Sequence, residues 1–71
     1  MSERIRLTLK AARVNAGLTQ KDVADRLHIS VQSLVKWESG EVLPTVDRAG
    51  ELADLYGLLV DDIIFCRKSQ I

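Results

Sequence analysis

Nucleophile, base and metal-ligand chemistry find few residues to work with in this chain of 71 residues. His28 is its single histidine and Cys66 its single cysteine. No nucleophile therefore pairs with a base, no disulfide framework forms within the chain, and no ligand-spaced cluster exists to hold a metal. Cys66 reads as a half-buried small hydrophobe, in keeping with a reducing compartment. The residues that can do chemistry are of another kind. From Leu18 to Glu38 the chain runs LTQKDVADRLHISVQSLVKWE. That stretch reads as two short helices joined by a tight turn. The second carries small and polar side chains where it would meet solvent. This is how a protein puts a helix into the major groove of double-stranded DNA. No catalytic residue and no cofactor is expected, and the chain does not read as an enzyme.

Several elements must position that pair. A first helix is expected from about Arg4 to Ala16, with Ile5, Leu9, Ala12 and Ala16 on one face. Thr19 is the N-cap of a second helix over about Gln20–Leu27, which buries Val23, Ala24 and Leu27. His28 and Ile29 make the turn. Ser30 caps a third helix over about Val31–Glu38, with Leu34 and Trp37 inward. Thr45, after Pro44, caps a fourth whose apolar side is Val46, Ala49, Leu52, Ala53 and Tyr56. A fifth is expected over about Val60–Cys66, burying Ile63, Ile64 or Phe65 in part. Gly17 and Gly57 follow helical patterns and suit a left-handed cap. Nothing reads as a strand. The expected architecture is an all-α, compact five-helix bundle in one domain spanning residues 1–71, with a core over about 4–66 and a short tail at 67–71.

A domain this small buries only roughly 60% of its unfolded surface, which leaves no room for a deep cleft beside the core. No apolar run spans a membrane and no signal peptide opens the chain, so a cytoplasmic protein is expected. Net charge is zero. The distribution is uneven: residues 1–40 carry seven Lys/Arg against four Asp/Glu, and residues 41–71 carry three against six. The basic half holds the two-helix unit. A neutral total still predicts weak non-specific DNA binding. Three aromatics, Trp37, Tyr56 and Phe65, are too few for a single-strand stacking surface.

The chain resembles the Cro/CI family of helix-turn-helix DNA-binding domains, also called XRE. The matching residues are GLTQ at Gly17–Gln20, VA at Val23–Ala24, the run from Ile29 to Gly40, Pro44, LADLYG at Leu52–Gly57 and DDII at Asp61–Ile64. The resemblance implies a lambda-repressor-like bundle whose second and third helices form the helix-turn-helix. It places Val31, Gln32, Ser33 and Lys36 in the major groove as base readers. Gln32 can pair bidentately with adenine, Val31 can meet a thymine methyl, Ser33 can donate or accept, and Lys36 can reach guanine or a phosphate. A solvated helix face is the plainer reading of the same residues. The resemblance also implies phosphate contacts by Thr19 and Gln20 at a helix start, and by the N–H groups of Ser39 and Gly40. It makes Arg13 and Glu38 a partly buried ion pair of the scaffold. Three residues depart from the family pattern: His28 stands at a glycine position, Glu41 where a cation often touches phosphate, and Leu59 where a Ser-like cap is usual.

The resulting expectation is a sequence-specific transcriptional regulator, a small repressor, that binds double-stranded palindromic DNA as a homodimer. Ile63, Ile64, Phe65 and Ile71 are the expected dimer surface; closing the monomer core is the other use for them. No sensor domain is present, so no small-molecule ligand is expected. The alternative is a protein-interaction module, such as an antitoxin-type protein, on the same fold.

Overall fold

The computed structural model describes residues 6–65. The elements run β1 (Leu7–Thr8), α1 (Leu9–Asn15), α2 (Gln20–Leu27), α3 (Val31–Ser39) and α4 (Val46–Tyr56). A 3-10 turn (Val60–Asp62) and β2 (Ile63–Ile64) complete them. Apolar residues at helical spacing bury one side of each helix. α2 turns in Val23, Ala24 and Leu27, and α4 turns in Ala49, Leu52, Ala53 and Tyr56. Leu34 of α3, Leu52 and Val23 are the largest fully enclosed side chains. Each such burial stabilises the fold by about 1.5–3 kcal/mol. α1 lies against α3, α4 and the strands, while α2 packs chiefly on α3.

Thr45 and Ser30 cap their helices as their sequence positions imply. Arg48 N–H donates to Thr45 Oγ1 at 3.2 Å, and Ser33 N–H to Ser30 Oγ at 3.1 Å. Val46 is the exception to the apolar side of α4, because as the first residue of the helix it is 88% exposed.

Both ends of the domain depart from the five-helix, strand-free expectation. The first helix starts at Leu9, since Thr8 is extended and its hydroxyl accepts from Ala11 N–H at 3.1 Å. A residue in that role stands outside the helix it caps. Ala16 is exposed, and Arg13 occupies the buried face instead. Ile5 lies outside the described residues. The expected fifth helix is a single 3-10 turn followed by β2. Leu59 offers no capping oxygen there; Asp62 Oδ2 accepts from its N–H at 3.2 Å. Ile63 and Ile64, β-branched and poor helix formers, instead pair in parallel with β1, in register Leu7 to Ile63 and Thr8 to Ile64. The described residues thus form four α-helices and one two-stranded sheet that joins the ends of the domain. Among them, no helix is long and apolar enough to cross a membrane.

Candidate nucleic-acid interface

Two adjoining helix starts present this surface. At the first, Thr19 and Asp22 form a reciprocal cap. Asp22 N–H donates to Thr19 Oγ1 at 3.0 Å, and Thr19 N–H donates to Asp22 Oδ2 at 2.9 Å. The Thr19 backbone N–H, then its hydroxyl, hold the Asp22 carboxyl below the ordinary aspartate value. The Thr19 N–H is therefore already engaged. The outward donors of the first turn of α2 are the N–H groups of Gln20 and Lys21.

The Gln20 side chain turns towards α3. Its Nε2 donates to Glu38 Oε1 at 3.1 Å. Glu38 also receives Arg13, with Nε to Oε2 at 2.7 Å and Nη2 to Oε1 at 3.4 Å. Arg13 Nη1 donates to the Leu18 carbonyl at 2.9 Å. The two charged side chains are only 10% and 6% exposed. One carboxylate thus ties α1, the start of α2 and the end of α3 together. The charged groups of Arg13 and Glu38 are engaged within the fold, with one another, with Gln20 and with the Leu18 carbonyl.

α3 presents Gln32 and Lys36 on its exposed face, one turn apart. Neither side chain has a hydrogen-bond partner among the described residues, so both are free to meet a base or a phosphate. Val31 is 40% exposed beside them. Ser33 is turned further inward: it is half-buried, and its Oγ lies 3.0 Å from Ser30 Oγ. Val35 takes a place on the outer face that Ser33 was expected to share. It is 42% exposed, four residues after Val31 and three after Gln32. An apolar residue inside a helix resembles core, so its residue type alone does not mark Val35 as exposed. The spacing from Gln32 was the available signal.

The far end of α3 departs from expectation. Ser39 is the last residue of the helix, and its N–H falls within the helical hydrogen-bond ladder. Gly40 N–H donates to the Lys36 and Trp37 carbonyls, with φ 82°. The Ser39 hydroxyl donates back to the Lys36 carbonyl at 3.0 Å. The phosphate contacts expected from the Ser39 and Gly40 N–H groups are thereby lost to helix closure. Lys36 remains the cation at this end, and exposed Glu41 follows it.

The expected assembly residues separate as well. Ile63 is 2% exposed and belongs to the core, so it offers no external surface. Phe65 is half-buried against that core, and Ile71 lies outside the described residues. Ile64 is exposed, as are Leu59 and Val60 before it. Among the described residues no three His, Cys, Asp or Glu side chains group to hold a metal ion.

A helix-turn-helix family model matches residues 9–63, from the first residue of α1 to the first of β2. The cryptic phage CTXphi transcriptional repressor RstR of Vibrio cholerae is 40% identical over 45 residues, 63% of this chain and 40% of that protein. The HTH-type transcriptional activator BcrR of Enterococcus faecalis is 27% identical over 56 residues, 79% of this chain and 28% of that protein. An uncharacterized HTH-type transcriptional regulator of Methanocaldococcus jannaschii is 34% identical over 62 residues, 87% of this chain and 94% of that protein. The chain spans less than half the length of the first two relatives and nearly all of the third. No solved structure matches it. With α3 braced on α2 and its outer face free, and with the family model matched over most of its length, this chain belongs to the XRE-type helix-turn-helix family of DNA-binding domains.

Proposed function

We propose that this chain is a sequence-specific, double-stranded DNA-binding transcriptional regulator, a small non-enzymatic repressor that reads the major groove with α3. The observation that carries this reading is the free, exposed pair Gln32 and Lys36 on a helix braced through Glu38. Gln32 supplies an amide for adenine, Lys36 a cation for guanine or phosphate, and Val31 a methyl contact for thymine. Gln20 and Thr19 sit at the helix start that faces the phosphates, with the Gln20 N–H as the donor. The names of the three relatives, a repressor, an activator and a regulator, support a transcriptional regulator, and the V. cholerae repressor alone favours repression.

One recognition helix covers only a few base pairs. A two-fold homodimer on a palindrome, with half-sites about 34–36 Å apart, would supply the missing affinity. Leu59 and Val60 before β2, and Ile64 within it, are exposed apolar residues that such a dimer can cover, with Phe65 at their edge. The test is selection of bound sequences from a random DNA pool, then titration of the selected site at several salt concentrations. A selected palindrome that binds far more weakly with one half scrambled supports the dimer, and equal binding removes it. Recovery of no preferred sequence would remove the base-reading function itself.

A second reading, a protein-interaction module, is favoured by Glu41 and by the exposed Val42, Leu43 and Val46 that follow α3. It requires a stable complex with a protein partner, such as a toxin, that survives when Gln32 and Lys36 are both replaced by alanine.

A further inference from the structure

The turn between α2 and α3 has a support that lies outside the helix-turn-helix. Arg48, in the first turn of α4, donates from Nη1 to the Leu27 carbonyl at 3.0 Å. The same Nη1 donates to Glu51 Oε1 at 2.8 Å, so the guanidinium is held in place from its own helix. Leu27 is the last residue of α2. Carbonyls at a helix C-terminus lack intrahelical donors and carry the negative end of the helix dipole, which a cation satisfies on both counts.

The residue after Leu27 makes this contact more than an ordinary cap. His28 has φ 57° and ψ 45° and is the one non-glycine residue at positive φ among those described. The other three helices close beside Gly17, Gly40 and Gly57. His28 N–H donates to the Ala24 and Asp25 carbonyls, and Ile29 N–H to the Ala24 carbonyl at 3.0 Å. The left-handed closure is thus complete in spite of the Cβ that opposes it. Ser30, the cap of α3, follows at once, and then Val31 and Gln32. A turn that relaxed away from this conformation would carry the start of α3 with it. Contacts to bases tolerate displacements of only about half an ångström.

We infer that Arg48 is a positioning residue of the helix-turn-helix. Through the Leu27 carbonyl it holds the strained His28 turn, and so the placement of Gln32, without touching DNA. The functional half of this inference rests on the DNA-binding reading above. The structural half does not.

The experiment has two arms. In the first, the wild-type, Arg48→Ala and Arg48→Lys proteins bind a site selected from a random pool, at a temperature where circular dichroism shows each fully folded. Arg48→Ala is expected to bind about tenfold more weakly, because a turn no longer held keeps α3 in its binding placement for a smaller fraction of the time. Its salt dependence is expected to be unchanged, and Arg48→Lys, which can still reach a carbonyl, is expected to recover part of the loss. Wild-type affinity in Arg48→Ala overturns the inference. So does a salt slope flattened by about one unit, which would make Arg48 a phosphate contact. The second arm needs no DNA. Urea midpoints are measured for Arg48→Ala, His28→Gly and the double variant. Arg48→Ala is expected to lower the midpoint less once His28 is glycine, since a relaxed turn needs less support. Additive shifts overturn the inference. If the wild-type protein selects no DNA, the functional reading fails, and this second arm alone decides whether Arg48 holds the turn.

Discussion

Gln20 Nε2 donates to Glu38 Oε1 at 3.1 Å, so the first side chain of α2 rests on the carboxylate near the end of α3. Glu38 is therefore the point where α3 is fastened at its far end. Arg13 neutralises the carboxylate from α1, and Gln20 fixes which way it faces. Gln20 also spends an amide donor on this contact. Its backbone N–H, at the start of α2, is then the donor that the proposed phosphate contact would use.

Arg13→Ala should therefore weaken the fold before it changes which DNA is preferred. Removing one partner of a buried pair strands the other, at a cost of about 3–5 kcal/mol. Glu38 would keep only Gln20, and the Leu18 carbonyl would lose its donor. Urea unfolding measures the first effect and pool selection the second. An Arg13→Ala protein of wild-type stability would show that the pair contributes nothing to the scaffold.

On α3 the two free side chains should separate by salt response. Gln32→Ala should cost roughly 1–3 kcal/mol on the selected site and relax preference at one base pair. Lys36→Ala should weaken binding on all sequences and flatten the salt slope by about one unit if it meets phosphate. Uniform losses for Gln32→Ala across unrelated DNA would reassign it to the backbone. Unchanged affinity for Lys36→Ala would leave it a solvated lysine.

The readable parts of the fold were those written in local chemistry. Thr19, Ser30 and Thr45 announce α2, α3 and α4 because a cap hydroxyl acts within three residues of itself. Thr8 does the same for α1, but charged and apolar residues at helical spacing before it suggested an earlier start. The stretch Ile5-Arg6-Leu7-Thr8-Leu9 also alternates with period two, the pattern of a strand. The pairing of Leu7 with Ile63 lies beyond any local pattern, since it joins residues from opposite ends of the described chain. That pairing also took Ile63 into the core and out of the expected assembly surface. On the outer face of α3, residue types point to Gln32 and Lys36, and both are exposed there. The fates of the Ser39 and Gly40 N–H groups depended on how the helix closed, and the bond from Arg48 to the Leu27 carbonyl joins residues 21 apart, beyond any local pattern.

Acid should loosen the start of α2 in a defined window. The Asp22 carboxyl titrates below its ordinary value of 3.8 because the Thr19 N–H and hydroxyl favour its charged form. The unfolded chain then binds its proton first, so stability rises with pH through this range. The contribution is present above pH 3.8 and is lost as the pH falls through the depressed value. Asp22→Ala should remove that part of the acid dependence. Parallel stability profiles for the two proteins below pH 3.8 would show that the cap is energetically silent.

Alkali should act on Tyr56 with the opposite sense. Burial, and then the nearby Glu38 carboxylate, raise its phenol from 10.0 to about 12, with Arg13 opposing. The unfolded chain loses this proton first, so stability is undiminished below pH 10.0 and falls as the pH rises towards 12. The hydroxyl is buried without a hydrogen-bond partner among the described residues. Tyr56→Phe should therefore remove this alkaline loss and leave neutral stability unchanged or raised by up to about 1 kcal/mol. A variant destabilised at neutral pH by more than that would mean the hydroxyl is bonded after all.

The turn itself offers the most direct test of how the helix-turn-helix is set. His28 sits at φ 57°, in the region where a Cβ crowds the following carbonyl. Glycine adopts that conformation without the clash but brings a more flexible unfolded chain, so the two effects oppose one another. The steric term is about 1–2 kcal/mol for an L-residue, and the entropic term about 0.5–1 kcal/mol. The steric term wins, so His28→Gly should stabilise the protein by roughly 0.5–1 kcal/mol. The His28 side chain is exposed, so its loss removes no packing from the core. Urea unfolding should show a higher midpoint with the same slope. Affinity for the selected DNA site should be kept, because the turn relaxes in place and Ser30 still caps α3. A lower midpoint would mean that the imidazole supports the turn. An unchanged midpoint with weakened binding would instead make His28 part of the DNA-facing surface.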